Sequence, residues 1–296
     1  MTGNTLGWVI VAFVLYLLMM IAIGAFYAKG NNNSEDYFLG GRKLNGFVAA
    51  LSAQASDMSG WLLMGLPGAI YLTGVGGDGW IAIGLFIGTT LNWLFIATKL
   101  RRYTIRANNS VTLPTYFENR FHDDKKVLMT VSSITIVVFF LVYCASALSA
   151  GGQLFESVFG IDYHVALTIG ALVVLVYTFL GGFTAVCVTD FIQGMLMLVG
   201  ILAVPLFAYH FLTGNGTTLA AGLEASGADS ANFLNLMKNG DGSNNIISVI
   251  SGLGWGLGYF GMPHILVRFM AVRDEKEMTK SKATAISWVA LSLGFA

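Results

Sequence analysis

Runs of about twenty apolar residues recur along the whole of this 296-residue chain. A bilayer core is about 30 Å thick and needs roughly 20 such residues per helix, so each run predicts a membrane-spanning helix. Seven complete spans are predicted, at residues 6–27, 44–72, 80–98, 127–148, 165–180, 191–211 and 246–267. An eighth begins near Ala283 and is still apolar at Ala296.

The composition excludes an ordinary soluble domain. Only 11% of the residues are charged, against about 25% in soluble domains. Sixteen basic and sixteen acidic residues cancel, so no global field attracts nucleic acid. Two cysteines, Cys144 and Cys187, form neither a disulfide framework nor a zinc site. The fold class predicted is an all-α polytopic membrane protein. A signal peptide is the alternative for the first run, but residues 1–5 lack basic side chains and the run is too long.

The basic residues predict the orientation of the chain. Fifteen of the sixteen lie between spans one and two, between spans three and four, or at and between spans seven and eight, where Arg268 is counted. Lys238 alone lies on the other side. The positive-inside rule then places the N-terminus outside and these three loops in the cytoplasm. The basic cluster at residues 99–126 is interpreted as this topology signal rather than as a lipid or nucleic-acid site.

Span two carries an acid at membrane depth. Asp57 lies in the polar stretch 52–60 and is interpreted as the only acid deep in a span. A buried carboxylate is costly in lipid, so it should face a cavity or a cation. Gly60 beside small polar residues should let the helix unwind and free backbone carbonyls. The alternative is a buried aspartate that is bonded to neighbouring Ser and Gln side chains.

Span seven is also predicted to be interrupted. Five glycines between residues 252 and 261 weaken the helix, and Pro263 removes a backbone donor. Trp255, Tyr259 and Pro263 are spaced by four and should share one face. The alternative use of the glycines is close helix packing through pairs such as Gly254 and Gly258.

The two interrupted spans are five helices apart, which is the pattern of an inverted-repeat transporter. The predicted organisation is an extra helix and cytoplasmic loop at 1–43, a first five-helix repeat at 44–211, an extracellular loop at 212–245, and the start of a second repeat at 246–296. Because the last span is cut inside an apolar run, we expect the N-terminal part of a longer protein.

Two motifs carry a resemblance to a known family. They run from Asp36 to Arg42 (DYFLGGR) and from Ser52 to Gly68 (SAQASDMSGWLLMGLPG). Both resemble the sodium/solute symporter family, and the second is most like its proline-transporting members. Shorter matches are Tyr143–Ser146, Leu180–Phe183 with Asp190, and Gly258–His264. The resemblance implies a LeuT-type fold in the bacterial plasma (inner) membrane, with sodium as the coupling ion and L-proline or a similar small solute as substrate.

The resemblance also implies site residues. The carbonyls of Ala55 and Met58, with the Asp57 carboxylate nearby, would form a sodium site, and such oxygen ligands suit a hard cation. The substrate pocket would contain Ser59, Gly60, Trp61, Tyr143, Trp255, Tyr259 and Pro263. Aromatic faces would contact the ring of the solute, and unwound helix ends its charges.

Two further residues are implied in coupling or gating. Arg42 resembles a family position linked to sodium coupling, and a simple topology anchor is the alternative. Asp190, near the cytoplasmic end of span six, resembles a position on the ion exit route, and a helix N-terminal acid is the alternative. The family's hydroxyl ligands for sodium come from a later helix, so we expect the isolated chain not to transport.

Other functions stay open at this level. No nucleophile–base set or phosphate loop is found, and the four histidines are scattered, so neither an enzyme nor an organic cofactor is expected. A symporter-like module of a sensor and a non-functional remnant are the alternatives from other classes. Proton coupling and another solute are the alternatives among transporters, and the oligomeric state is not predicted.

Overall fold

A computed structural model describes the backbone of residues 3–296 and the side chains from residue 7 onward. Residues 1 and 2 of the predicted N-terminal unit therefore lie outside the described residues. Fourteen α-helices are described: α1 (Gly3–Ala28), α2 (Ser34–Leu39), α3 (Gly46–Gly60), α4 (Leu66–Thr73), α5 (Val75–Leu91), α6 (Ala97–Arg106), α7 (Leu113–Phe121), α8 (Val127–Phe159), α9 (Tyr163–Gly214), α10 (Leu219–Ala225), α11 (Ser230–Phe233), α12 (Ile246–Trp255), α13 (Pro263–Ala271) and α14 (Glu275–Phe295).

By length and composition, four of the described helical segments can cross a membrane, or five if the pair α12 and α13, bent by 46°, forms one span. Each of the eight predicted spans nevertheless lies in helical structure. The 52-residue helix α9 would be about 78 Å long if straight, and it breaks at Gly182 (φ 60°, ψ −159°), so its halves are spans five and six. Span two is divided between α3 and α4, and α14 begins with a charged segment.

The first interruption lies between α3 and α4, as predicted. Ser59 has φ 42° and ψ −152°, whereas Gly60 keeps helical angles (φ −64°, ψ −17°). The unwinding predicted beside Gly60 therefore occurs at Ser59, its small polar neighbour. A left-handed backbone on a residue with a Cβ costs about 1–3 kcal/mol, and such strain is concentrated at functional sites. A π-helical turn, Trp61–Gly65, then leads into α4.

The second interruption, between α12 and α13, is confirmed. A 3-10 turn, Gly256–Gly261, follows α12, and Met262 is extended (φ −73°, ψ 105°). Pro263 occupies the first turn of α13. A backbone N–H at that position has no acceptor within the helix, so a proline there costs the helix no hydrogen bond.

Glycines bring α12 and α5 into backbone contact. A Cβ on Gly84 would lie 2.2 Å from the Gly252 carbonyl oxygen, and one on Gly88 would lie 2.2 Å from that of Gly256. The prediction that Gly254 and Gly258 form the close-packing pair was wrong, because a Cβ on either would meet no described atom within 4 Å. The packing pair is Gly252 and Gly256, because the neighbouring helix presents its own glycines to that face.

The core lies between the interrupted helices and their neighbours. α3 packs against α9, α13 and α14, while α1 packs against α9 outside this layer. Trp93 and Phe269 are fully buried and meet edge to face, with ring centroids 4.3 Å apart. In contrast, most large apolar side chains of α8 are exposed, as expected for a helix that faces lipid.

The predicted loop 212–245 contains α10 and α11 and docks on the start of α5. Gly240 N donates to Thr73 O over 2.8 Å, and a Cβ on Gly76 would lie 1.9 Å from Lys238 O. The Asn245 side chain donates to the carbonyls of Gly76 and Leu236. The loop is therefore fixed to the start of α5 by backbone contacts and by the Asn245 side chain.

Candidate functional site

A cavity of about 640 Å³ lies between the two helix interruptions, within the size range of small-molecule sites. Eight predicted site residues line it: Asp57, Met58, Ser59, Gly60, Trp61, Tyr143, Trp255 and Tyr259. The structure therefore brings together residues from spans two, four and seven. Four others do not line it: Ala55, Pro263, Arg42 and Asp190. Ser146, Met64 and Met262 line it as well, although no role was predicted for them.

Aromatic side chains form the walls of the cavity. Trp61 and Trp255 stack with ring centroids 5.7 Å apart and planes 20° from parallel. The Tyr143 hydroxyl donates to the Ser56 carbonyl over 2.9 Å, which satisfies a backbone oxygen beside the interruption of α3. The cavity therefore offers flat apolar faces next to polar backbone, a combination suited to a compact amphipathic solute.

The Asp57 carboxylate faces span seven. The Tyr259 hydroxyl donates to Asp57 Oδ2, and His264 Nε2 lies 3.7 Å from Asp57 Oδ1. The Tyr259 backbone is held in turn by Asn92, whose side-chain amide donates to its carbonyl over 2.7 Å. The hydrogen-bond partner of Asp57 is thus Tyr259 of the other interrupted helix, and the expected alternative of Ser and Gln neighbours was wrong.

Pro263 does not share the cavity face with Tyr259. In a 3-10 turn the side chains at i and i+3 superpose, so Met262 takes the place that helical spacing assigned to Pro263.

The two carbonyls predicted to bind sodium have different surroundings. Ala55 is buried against α9, where a Cβ on Gly194 would lie 3.4 Å from the Ala55 Cβ. The Met58 carbonyl accepts a hydrogen bond from the Trp61 N–H, and its second lone pair is left for another partner.

A buried ionic pair lies behind the cavity. Asp190 Oδ2 accepts from Arg268 Nη2 over 2.9 Å and from Ser52 Oγ over 2.7 Å, and Ser56 Oγ is 3.0 Å away. The cavity region therefore contains a second buried acid besides Asp57, and Arg268 lies within α13 rather than in the loop that follows it. Asp190 is also inside α9, eight residues after the break, and not a helix N-terminal acid.

Sequence reasoning missed this pair because its two residues are 78 positions apart. One signal was available. Arg268 is flanked on both sides by apolar residues, from Ile265 to Val272. A cation within such a run needs a buried partner.

Arg42 is buried at one end of the bundle, in a group of hydrogen bonds that we call the Arg42 latch. Its guanidinium donates to the carbonyls of Met270 and Ser110, each over 2.8 Å, and to Asn109 Oδ1 over 3.0 Å. Burial lowers the pKa of Arg42, and the Glu35 carboxylate, 3.5 Å away, opposes this shift. These bonds tie the loop before α3 to the end of α13, which a simple topology anchor would not do.

The cavity is lined by oxygen ligands and by the thioether sulfurs of Met58, Met64 and Met262, and the oxygens are the ligands that suit a hard cation. Within residues 7–296 no group of three or more His, Cys, Asp or Glu side chains could hold a metal ion. One carboxylate, backbone carbonyls and hydroxyls are the oxygens that the cavity offers. This donor set suits a weakly held alkali cation better than a transition metal.

A family model described as the Sodium:solute symporter family matches residues 37–295. Sodium/proline symporters are similar in sequence: that of Haemophilus influenzae is 45% identical over 284 residues, which cover 96% of this chain and 55% of the relative. The sodium/proline symporter of Staphylococcus aureus is 44% identical over 284 residues, which cover 96% of this chain and 54% of that relative. The chain thus spans about half the length of these curated relatives.

A solved structure of a Na+-coupled sialic acid symporter, in a substrate-bound outward-open state, is similar in fold. The TM-score is 0.75 at 20% identity, with 95% of this chain and 57% of that chain covered. The likeness confirms the all-α membrane fold predicted from the apolar spans and the LeuT-type fold that the family resemblance implied.

Proposed function

Because the chain belongs to the sodium:solute symporter family, we propose that it forms the substrate-binding half of a secondary transporter that couples inward sodium movement to uptake of L-proline. The observation that supports this most is the cavity between the interruptions of α3 and α12–α13, with Asp57 in its wall. A cavity where interrupted helices meet is where transporters bind solute and ion.

The cavity matches a small zwitterion with an apolar ring. Trp61, Trp255 and Tyr143 supply aromatic faces for the ring. The end of α3 at Ser59 presents the negative end of a helix dipole to an ammonium group, and the start of α13 presents a positive end to a carboxylate. Pro263 would act through this helix start rather than by direct contact.

Sodium would bind beside the interruption of α3. The carbonyls of Ala55 and Met58 and the carboxylate of Asp57 are its ligands in this proposal, together with hydroxyls from outside this segment. Sodium is a co-transported substrate here, so weak and reversible ligation is appropriate.

The contacts that close the cavity lie on one side of it, which supports a mechanism of alternating access. Trp61 and Met64 follow the interruption toward the outer end of span two, whereas the Arg42 latch and the Asp190–Arg268 pair lie on the other side of the cavity. With the N-terminus outside, the site is accessible from the exterior and closed to the cytoplasm. Residues 44–211 and 246–296 then correspond to the first repeat and the start of the second, in a multi-pass protein of the bacterial plasma membrane.

The test is proline uptake by the intact protein that carries this segment, reconstituted in liposomes with an imposed sodium gradient. We expect labelled proline to accumulate only with sodium outside, and an excess of unlabelled proline to compete better than other amino acids. Uptake driven equally well by a proton gradient without sodium would contradict sodium coupling. The isolated 296-residue chain is expected to give no accumulation.

Asp57→Asn is the matched variant. Loss of the carboxylate charge should raise the half-saturating sodium concentration at least about ten-fold, because charge-assisted ligation is lost. Lys238→Asn, a charge change in the outer loop, should leave it unchanged and serves as the control. An Asp57→Asn protein with unaltered sodium dependence would remove Asp57 from the ion site.

A further inference from the structure

His264 is a buried titratable side chain that the proposed transport mechanism does not use. It lies in the first turn of α13, directly after Pro263. Both of its ring nitrogens are buried, and neither has a hydrogen-bond partner among the described residues. Buried polar atoms without partners are rare in native proteins and need a reason.

The imidazole is held in one orientation by aromatic neighbours. Its ring centroid is 5.7 Å from that of Tyr143, with planes 22° apart, and 5.4 Å from that of Phe140. The His264 carbonyl accepts from Arg268 Nη1 over 2.5 Å, so the backbone of this turn is also fixed. The ring is therefore directed at the acid of span two.

The carboxylate of Asp57 is the acceptor that faces His264. Its Oδ1 lies 3.7 Å from Nε2, too far for a hydrogen bond but close enough for a small side-chain rotation to make one. Its Oδ2 already accepts from Tyr259. The other charged groups nearby, Arg268 and Asp190, are paired with each other. Span seven thus places a hydrogen-bond donor beside each oxygen of Asp57: Tyr259 is already bonded to Oδ2, and His264 is within reach of Oδ1.

We propose that His264 is a positioning residue that holds Asp57 whenever the carboxylate is not shared with the transported cation, by donating its Nε2–H to Oδ1. The inference rests on the proposed function. With Tyr259, His264 connects the two interrupted helices through one carboxylate. A sodium ion at the carbonyls of span two has to draw that carboxylate away from His264, so the histidine competes with sodium and helps to release it.

Competition between His264 and sodium predicts that removing the donor lowers the half-saturating sodium concentration, which a merely structural role does not predict. His264→Phe keeps the stack with Tyr143 and Phe140 but removes the donor. In proteoliposomes of the intact protein we expect the half-saturating sodium concentration to fall about five-fold, since one hydrogen bond to a charged group is lost from the competing arrangement. The KM for proline at saturating sodium should change less than two-fold, and the maximal rate should fall as sodium release slows.

Two further variants complete the test. His264→Gln retains an N–H donor and should restore the wild-type sodium dependence. His264→Met, a flexible apolar side chain of similar reach, is the second donor-free variant and should match His264→Phe if the latter does not reach the membrane. His210→Phe, at an exposed position near the end of α9, is the control and should have no effect.

The outcomes separate this inference from the proposed function. Wild-type uptake without sodium dependence would overturn the function itself. If wild-type uptake depends on sodium, a half-saturating concentration that rises or stays the same in both donor-free variants would overturn the role of His264. A glutamine variant that behaves like the phenylalanine variant would overturn it as well.

Discussion

At the scale of single residues, the conformation of Ser59 is the most informative feature. Ser59 (φ 42°, ψ −152°) and Gly182 (φ 60°, ψ −159°) have nearly the same left-handed backbone, yet only the second is a glycine. The strain at Ser59 therefore has to be retained for its side chain or for the carbonyl geometry of the interruption.

A matched pair of substitutions measures this strain. Ser59→Gly should raise the free energy of unfolding by about 1 kcal/mol, the relieved strain less the backbone entropy that glycine adds to the unfolded chain. Gly182→Ala should lower it by about 1–3 kcal/mol, because a Cβ there would be strained and would lie 3.0 Å from the Tyr37 ring. Thermal unfolding of the purified intact protein in detergent is the measurement. A destabilised Ser59→Gly protein would show that the serine side chain holds the break.

At the scale of secondary-structure elements, the glycines that join α5 to α12 determine how the second interruption is supported. The carbonyls of Gly252 and Gly256 lie against Gly84 and Gly88, so this half of span seven cannot move without α5. Close backbone contact of this kind is a common device of membrane helices.

We expect Gly88→Ala to separate α5 from α12 and lower the free energy of unfolding by about 1–3 kcal/mol, the usual cost of overpacking. Gly254→Ala is the control, because a Cβ at Gly254 would meet no described atom within 4 Å. The control should be neutral or more stable by up to about 1 kcal/mol, since alanine favours the helix. Equal stability of the two variants, measured by thermal unfolding, would contradict this packing.

The same glycines show which parts of the fold could be predicted from the sequence and which could not. Apolar runs, together with a polar acid-bearing stretch and clustered glycines, were sufficient to predict the main helical segments and both interrupted helices. They could not predict which glycines pack, because the face of α12 that is used depends on Gly84 and Gly88 of another helix. For the same reason the partners of Asp190 and Arg268 were missed: their ion pair exists only once α9 and α13 are side by side.

At the scale of the whole molecule, the hydrogen bonds that hold the bundle closed are concentrated on one side of the cavity. The Arg42 latch joins the loop before α3 to α13, and Leu44 N donates to Ala271 O beside it over 3.1 Å. Arg101 donates to the Val272 carbonyl over 2.6 Å and so ties α6 to the same turn. These bonds close the bundle at the end that the positive-inside rule places in the cytoplasm.

Opening of that end can be followed with a native thiol. Cys187 is fully buried, one turn before Asp190 of the buried Asp190–Arg268 pair. In a Cys144→Ala background of the intact protein, Arg42→Ala should increase maleimide labelling of Cys187 from the cytoplasmic side at least about ten-fold. Four hydrogen bonds from a charged group are lost, and in this proposal they stabilise only the arrangement that is closed at this end. Arg106→Ala, at an exposed position on α6, is the control with unchanged labelling. An Arg42→Ala protein that labels at the wild-type rate would mean that the Asp190–Arg268 pair alone keeps this side closed.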